Sequence, residues 1–180
     1  MCDIPALVDM KIFAKQYLDP KEKLRILEVG SLDVNGTFRI YFDNPNWEYI
    51  GLDIVEGKSV DVVSLDPYRY PFPDDSFDLI VSGQTIEHVE DTHQFMREIG
   101  RLIKPGGLVY VSAPHDCEEH RFPIDCWRIF PDGMRFLFAK IAGLQVLDAR
   151  KTSIHCVGIG KKPYSVAPIV TWDGGETADG

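Results

Sequence analysis

The chain has 180 residues, 44% of them apolar, enough to bury one core and too few for two comfortable ones. Its 19 Lys and Arg stand against 28 Asp and Glu, a formal charge of -9, so a nucleic acid would meet net repulsion, and no basic run overrides it. The opening MCDIPALVDMK has no basic leader, no window approaches the roughly 18 apolar residues of a membrane span, and the four cysteines show no close pairing; the expectation is a cytoplasmic protein with reduced thiols and no membrane span.

Between residues 6 and 18 the apolar positions Leu7, Met10, Phe13, Ala14, Tyr17 and Leu18 recur at three and four, which predicts an amphipathic helix ended by Asp19-Pro20. Five short runs rich in β-branched and aromatic residues follow and read as strands: RILEVG (25–30), WEYIGLDI (47–54), VDVVSL (60–65), FDLIVSG (77–83) and GLVYVSA (107–113). Several are apolar almost throughout, as strands covered on both faces tend to be. Between the last two lies DTHQFMREIGRLIKPGG, with Phe95, Met96, Ile99, Leu102 and Ile103 on one face, Asp91 as N-cap and a Lys-Pro-Gly-Gly stop. A second helix is predicted over 131–142, then strands LQVLDA (144–149) and IHCVGIG (154–160). The pattern is that of an α/β protein with a mostly parallel sheet, a single domain over 1–162, and a loosely ordered tail over 163–180. Only 55–59 joins the second and third strands, where a parallel pair ordinarily takes a crossover of a dozen residues, so the third strand is expected to be short or irregular.

The loop LEVGSLDVNG (27–36) leaves the first strand where open parallel sheets bind ligands. Gly30 lets the backbone come close to a neighbour and Gly36 can take positive φ, but Leu32 and Asp33 stand where a diphosphate-binding loop needs glycine and no charge. Asp53, 23 residues after Gly30 at the end of the second strand, can accept hydrogen bonds from both hydroxyls of a ribose. Ribose without phosphate, beside Glu28, Asp33 and Asp53, suits a positively charged nucleoside, and S-adenosylmethionine is one. The plainer alternative is that Glu28 and Asp53 merely cap strand ends.

The blocks LEVGSLDVNGT, YIGLDI, DPYRYPFPDDSFDLIVSGQTIEHVED, REIGRLIKPGGLVYVSAP and HRFPIDCWRIFPDG, spanning about 24–149, together resemble the class I S-adenosylmethionine-dependent methyltransferases, of the type with an E-H pair after the fourth strand. The resemblance implies a Rossmann-like, mostly parallel seven-stranded sheet flanked by helices, with an antiparallel hairpin at one edge and the cofactor laid across the first two strands. It assigns cofactor roles to Glu28, Gly30, Asp53, Asp66, which would read the adenine amino group, and Gln84, near the methionine part. Two departures stand out: the first loop lacks the family's commonest glycines, and Pro67 offers no backbone N–H to adenine, leaving that to a neighbour such as Tyr68.

Methyl transfer is an in-line displacement, in which holding and drying the reactants does most of the work and a base is needed only if the acceptor must lose a proton. Acceptor-side candidates follow the fourth and fifth strands. Glu87 and His88 come first; PHDCEEHRFPIDCWR then supplies His115 or His120 as general base, and Asp125, Trp127 and Arg128 to bind substrate. The plainer reading leaves both histidines as exposed loop residues and pairs Asp125 with Arg128. His115, Cys117, His120 and Cys126 match no common zinc spacing, so no metal is expected. The sequence thus predicts a methyltransferase for a small-molecule acceptor, at oxygen or nitrogen rather than carbon. Its alternatives are a non-catalytic S-adenosylmethionine-binding protein and other adenosyl chemistry such as aminopropyl transfer; the oligomeric state is not legible.

Overall fold

The computed structural model describes residues 4–164. Seven strands form one sheet: β1 (Leu24–Val29), β2 (Trp47–Asp53), β3 (Val62–Val63), β4 (Phe77–Gly83), β5 (Ile103–Pro114), β6 (Gln145–Lys151) and β7 (His155–Lys161). Their order is β3-β2-β1-β4-β5-β7-β6, parallel from β3 to β5, with β7 antiparallel to both β5 and β6. This is the mostly parallel sheet with an edge hairpin that the sequence and its resemblance imply. Past Tyr164 the tail expected to be loosely ordered lies outside the described residues.

Alternation along the strands divides the core in two. Ile26, Leu79, Val81, Tyr110, Val157 and Ile159 meet α1 (Ile4–Tyr17) through Ala6, Met10 and Phe13, with Phe38 from a 3-10 turn, Phe38–Tyr41, and Phe42 that caps its end. On the other face Leu27, Val29, Ile80, Val109, Val111 and Cys156 pack under α2 (Thr92–Leu102) and α3 (Pro131–Phe136). Burial on both sides is why these strands read as nearly continuous apolar runs. Asp91 caps α2 as predicted, its carboxylate accepting from the backbone N–H of His93 and Gln94.

Two elements depart from the sequence reading. The predicted helix 131–142 is α-helical only to Phe136 and then widens into a π-helical turn, Leu137–Ile141, closed by the Ala142 N–H donating to Leu137 O at 2.9 Å. It lies hard against β7: a Cβ at Gly158 would come 2.5 Å from Met134 Cγ, and one at Gly160 2.6 Å from Phe138 Cδ1. The third strand shrinks from six residues to two. Its missing crossover helix is replaced by a loop folded against β2, where the Gly51 N–H donates to Asp61 Oδ2 at 2.7 Å and the Asp61 N–H returns to Gly51 O at 2.8 Å. A Cβ on Gly51 would lie 2.1 Å from Ser59 O, so this short parallel connection depends on a bare backbone at that point.

Among the described residues no helix is long and apolar enough to cross a membrane. Cys117 and Cys126 are exposed free thiols and Cys156 is buried, its thiol pushed up to about 11 by burial.

Candidate active site

Sheet order reverses between β1 and β4, so the loops leaving their carboxyl ends part and open a crevice. A cleft of about 610 Å³ lies there, within the usual range for small-molecule sites. Val29, Gly30, Leu32 and Val34 form one wall, Leu52 to Val55 a second, and Pro67, Tyr68 and Tyr70 a third. Gln84, Thr85, His88, Val89 and Glu90 follow β4, and Arg121, Phe122, Pro123 and Ile124 approach from the segment after β5.

At one end of the cleft stand Gly30 and Asp53. Gly30 has φ +79°, and a Cβ there would lie 2.0 Å from Thr85 Oγ1 and 2.8 Å from Thr85 Cβ. The glycine is therefore demanded by the contact between the loops after β1 and β4, rather than by open space for a ligand. Asp53 Oδ2 accepts from the Leu32 N–H at 3.0 Å and Oδ1 from the Ile54 N–H at 2.8 Å, which points the carboxylate across the β1 loop. That loop is tied down by Gly30 and Ser31 donating to Leu52 O, by Asp33 N–H donating to Lys58 O, and by the ion pair between Asp33 and Lys58 at 2.6 Å. Gly36 has φ 139°, in the positive region expected of it. Asp33, whose carboxyl is held low chiefly by the Lys58 hydrogen bond, is thereby spent on the protein rather than turned to a ligand.

The other residues the sequence assigned to the cofactor divide. Gln84 lines the cleft at φ 54°, its side-chain amide donating to Ser112 Oγ at 3.3 Å. Asp66 is exposed and outside the lining; its Oδ1 accepts from the Tyr68 N–H at 2.9 Å and so sets the entry of Pro67 and Tyr68 into the wall. Tyr68 is fixed from its far end by the Asp91 N–H, which donates to the phenol oxygen at 2.9 Å. Glu28 lies away from the cleft, buried on the α1 face of the sheet with Tyr49 O–H donating to it at 2.6 Å. Period two decides this: Leu27 and Val29 point to the cleft side, so Glu28 between them points away.

At the opposite end, His88 is the one of the three candidate histidines that lines the cleft. Its Nδ1 is 2.6 Å from Ile124 O, and burial is the main cause holding its proton affinity below the ordinary histidine value. His120 stands behind it, with ring centroids 5.1 Å apart and edge to face. His115 turns away beneath the β6–β7 hairpin, its Nε2 3.4 Å from Thr152 O and its ring 6.2 Å from Phe130. The three expected substrate-binding residues are outside the lining as well. Asp125 and Arg128 form a two-pronged pair at 2.6 and 2.7 Å, which drives the Asp125 carboxyl far below the carboxylate range, and Trp127 Nε1 donates to Val89 O at 2.8 Å. Their partners are inside the fold, as in the plainer sequence reading. What reaches the cleft instead is the stretch just before them, Arg121 to Ile124. Glu87 is fully buried; burial pushes its carboxyl up to about 8.

A family model described as a methyltransferase domain matches residues 27–111, which hold both walls of the cofactor end and the whole of β4. Over that segment, just under half of its length, the chain is similar to S-adenosylmethionine-dependent methyltransferases. The bifunctional biotin biosynthesis protein BioHC of Cellvibrio japonicus is 32% identical over 102 residues, 51% of this chain and 20% of that protein. The N1-methyltransferase of 1,6-didemethyltoxoflavin from Burkholderia thailandensis, solved with that compound and S-adenosylhomocysteine, superimposes with a TM-score of 0.70 at 16% identity, covering 89% of this chain and 80% of that one. The [4+2]-cyclase SpnF gives 0.71 at 18% identity, covering 89% and 82%, so at this distance the likeness carries the fold alone. The chain spans about a fifth of the length of several curated relatives it matches.

The cofactor of this methyltransferase family is S-adenosylmethionine, and the residues at the Asp53 end fit it. Asp53 Oδ2 accepts one backbone N–H and keeps a lone pair for a ribose hydroxyl, while Oδ1 accepts from Ile54 at 2.8 Å and, at a long 3.4 Å, from Val55, a contact a second hydroxyl can displace. Leu52, Val55, Pro67 and Tyr68 give apolar walls for a base. Arg121 is the one Lys or Arg among the described lining residues and lies with the acceptor-side segment, so a sulfonium meets no cation beside Asp53. Thr85, which neither periodicity nor the family blocks single out, is the residue that forces Gly30; only the sheet order places them together.

Proposed function

We propose that this chain transfers a methyl group from S-adenosylmethionine to a small-molecule acceptor, at oxygen or nitrogen. The carrying observation is the Asp53 carboxylate, oriented by the backbone N–H groups of Leu32, Ile54 and Val55 beside the Gly30 turn at the end of a cleft of about 610 Å³. S-adenosylmethionine supplies an electrophilic methyl on a sulfonium; the C–S bond breaks as the acceptor bond forms, and an acceptor O–H or N–H releases its proton to solvent. Asp53 holds the ribose, Tyr68 and Pro67 cover the base, Asp66 reads its amino group from the rim, and Gln84 lies toward the methionine part. Glu28 takes no direct part in this reading. His88, Arg121, Phe122 and Ile124 bound the acceptor space, where an aromatic and aliphatic surround excludes water and fixes the line of approach. The acidic overall charge and the lack of a basic run favour an uncharged or cationic metabolite over a nucleic acid.

Two measurements test the reading. Calorimetry with S-adenosylmethionine and S-adenosylhomocysteine should give saturable binding at one site. Incubation of the protein with labelled cofactor and a metabolite extract should move label into small molecules. Binding without transfer favours the non-catalytic binder, transfer of an aminopropyl group favours the other adenosyl chemistry, and no binding at millimolar cofactor removes the proposal.

A further inference from the structure

Behind the acceptor wall three electron-rich groups converge. Glu87 is fully buried, and neither oxygen of its carboxylate has a hydrogen-bond partner. His88 Nε2 lies 3.8 Å from Glu87 Oε1 and is also buried without a partner, while His120 Nε2 lies 4.0 Å from the same oxygen. Among the described residues these form the one group of three such side chains whose ligand atoms all fall within 4.8 Å of each other.

Both imidazoles are turned the same way. His88 Nδ1 is 2.6 Å from Ile124 O, and a carbonyl has no proton to give, so Nδ1 carries the hydrogen and Nε2 presents its lone pair to Glu87. His120 Nδ1 is 3.1 Å from Glu118 O and 3.5 Å from Asp125 Oδ2, which leaves its Nε2 lone pair facing Glu87 too. Asp125 is itself clamped by Arg128 at 2.6 Å, and the backbone carbonyl of Glu87 accepts from the Cys126 N–H at 2.7 Å, fastening the His120 segment to the Glu87 turn. Two lone pairs facing a buried carboxyl group with no hydrogen bond to it leave acceptor atoms unsatisfied, a cost that a shared cation would remove. Spacings of 3.8 and 4.0 Å are too long for a shared proton. Four-coordinate ligands about 2.0–2.2 Å from a common ion stand roughly 3.3–3.6 Å apart, so the three groups need close by only a few tenths of an ångström to hold one.

We propose that Glu87, His88 and His120 bind one divalent transition-metal cation at the acceptor end of the cleft. Two imidazoles and one carboxylate favour zinc, iron, cobalt or nickel over calcium or magnesium, and Nδ1 bonds to backbone and carboxylate oxygens are the usual outer support of histidine ligands. This departs from the sequence expectation of no metal, which weighed His120 with His115 and two cysteines instead. Three protein ligands leave at least one position open, and His88 is shared with the cleft lining, so the ion would hold an acceptor heteroatom. That use rests on the methyltransferase reading; the binding of the ion does not.

The test uses tag-free full chain stripped with chelator, titrated with Zn(II) by calorimetry and with Co(II) by visible absorption. One equivalent of Zn(II), the d–d bands of a four- or five-coordinate Co(II) site, and a loss of about tenfold or more in affinity in both His120→Ala and Glu87→Gln are expected. His120 is a third exposed, so His120→Ala keeps the comparison valid should Glu87→Gln fail to fold. No stoichiometric uptake, uptake unchanged in His120→Ala, or a Co(II)–thiolate band placing the ion on Cys117 would overturn the proposal. S-adenosylmethionine calorimetry on the same samples reads the other end of the cleft, so a failed cofactor reading and a failed metal site are told apart.

Discussion

Glu28 gives the most quantitative expectation. It is 2% exposed, and burial raises its carboxyl from an ordinary 4.5 to about 7, offset in part by the Tyr49 hydroxyl, the Phe38 backbone N–H and the Arg39 charge. Between those values the folded chain holds a proton that the unfolded chain has released, so stability falls as pH rises: the contribution is fully present below about 4.5 and gone once pH passes about 7. The full difference corresponds to about 3 kcal/mol, of which roughly 2–3 kcal/mol falls between pH 5 and 8.5. Glu28→Gln keeps the shape and an oxygen to accept from Tyr49 O–H but cannot titrate. Urea unfolding of wild type and variant at fixed ionic strength should show the variant gaining on wild type by that amount across the window. Parallel curves from pH 5 to 8.5 would refute the reasoning, because they would mean that Glu28 is no more protonated folded than unfolded.

Asp53→Ala should weaken S-adenosylmethionine binding by about 1.5–3 kcal/mol in calorimetry, the usual size of hydrogen bonds to a charged group, with any loss confined to acceptor counting against the cofactor assignment. Gly30→Ala places a Cβ at φ +79° and 2.0 Å from Thr85 Oγ1, so unfolding free energy should drop by about 2 kcal/mol or more; Thr85→Ala in the same chain should restore part of it, since two of the three clashing atoms go. Arg101 joins Glu98, Asp74 and the carbonyls of Phe72 and Tyr70, holding the segment behind the Tyr68 wall onto α2. Arg101→Ala leaves Glu98, 4% exposed, with only the Tyr70 N–H and the more distant Arg69 at 3.7 Å, and should cost about 2–3 kcal/mol in denaturant unfolding.

Much of the fold was legible because its signals are local. Asp91 beside a helical period, Pro20 after Asp19, and the apolar runs of β1, β4 and β5 each state their conformation within a few residues, and the resemblance in five blocks supplied the order of the sheet. Gly30 and Asp53, 23 residues apart, were paired by a spacing that strand, loop and strand geometry fix. The π-helical turn at Leu137 was not legible, because Gly158 and Gly160 that let α3 press on β7 lie two elements away in the chain.

The sequence by itself determined a single α/β sheet, an aspartate at the end of β2 beside a first loop that lacks the phosphate-binding glycines, and a polar segment after β5, since all of these depend on near neighbours. Tertiary structure decided which residues of that polar segment face the cleft. Asp125 and Arg128 satisfy each other inside the fold, His115 is drawn under the edge hairpin, and His120 is carried to Glu87 by backbone bonds from Cys126 and Trp127. Asp125 and Arg128, three residues apart, could be paired from the sequence, whereas the partners of His115 and His120 lie more than 30 residues away and leave no mark in a local pattern.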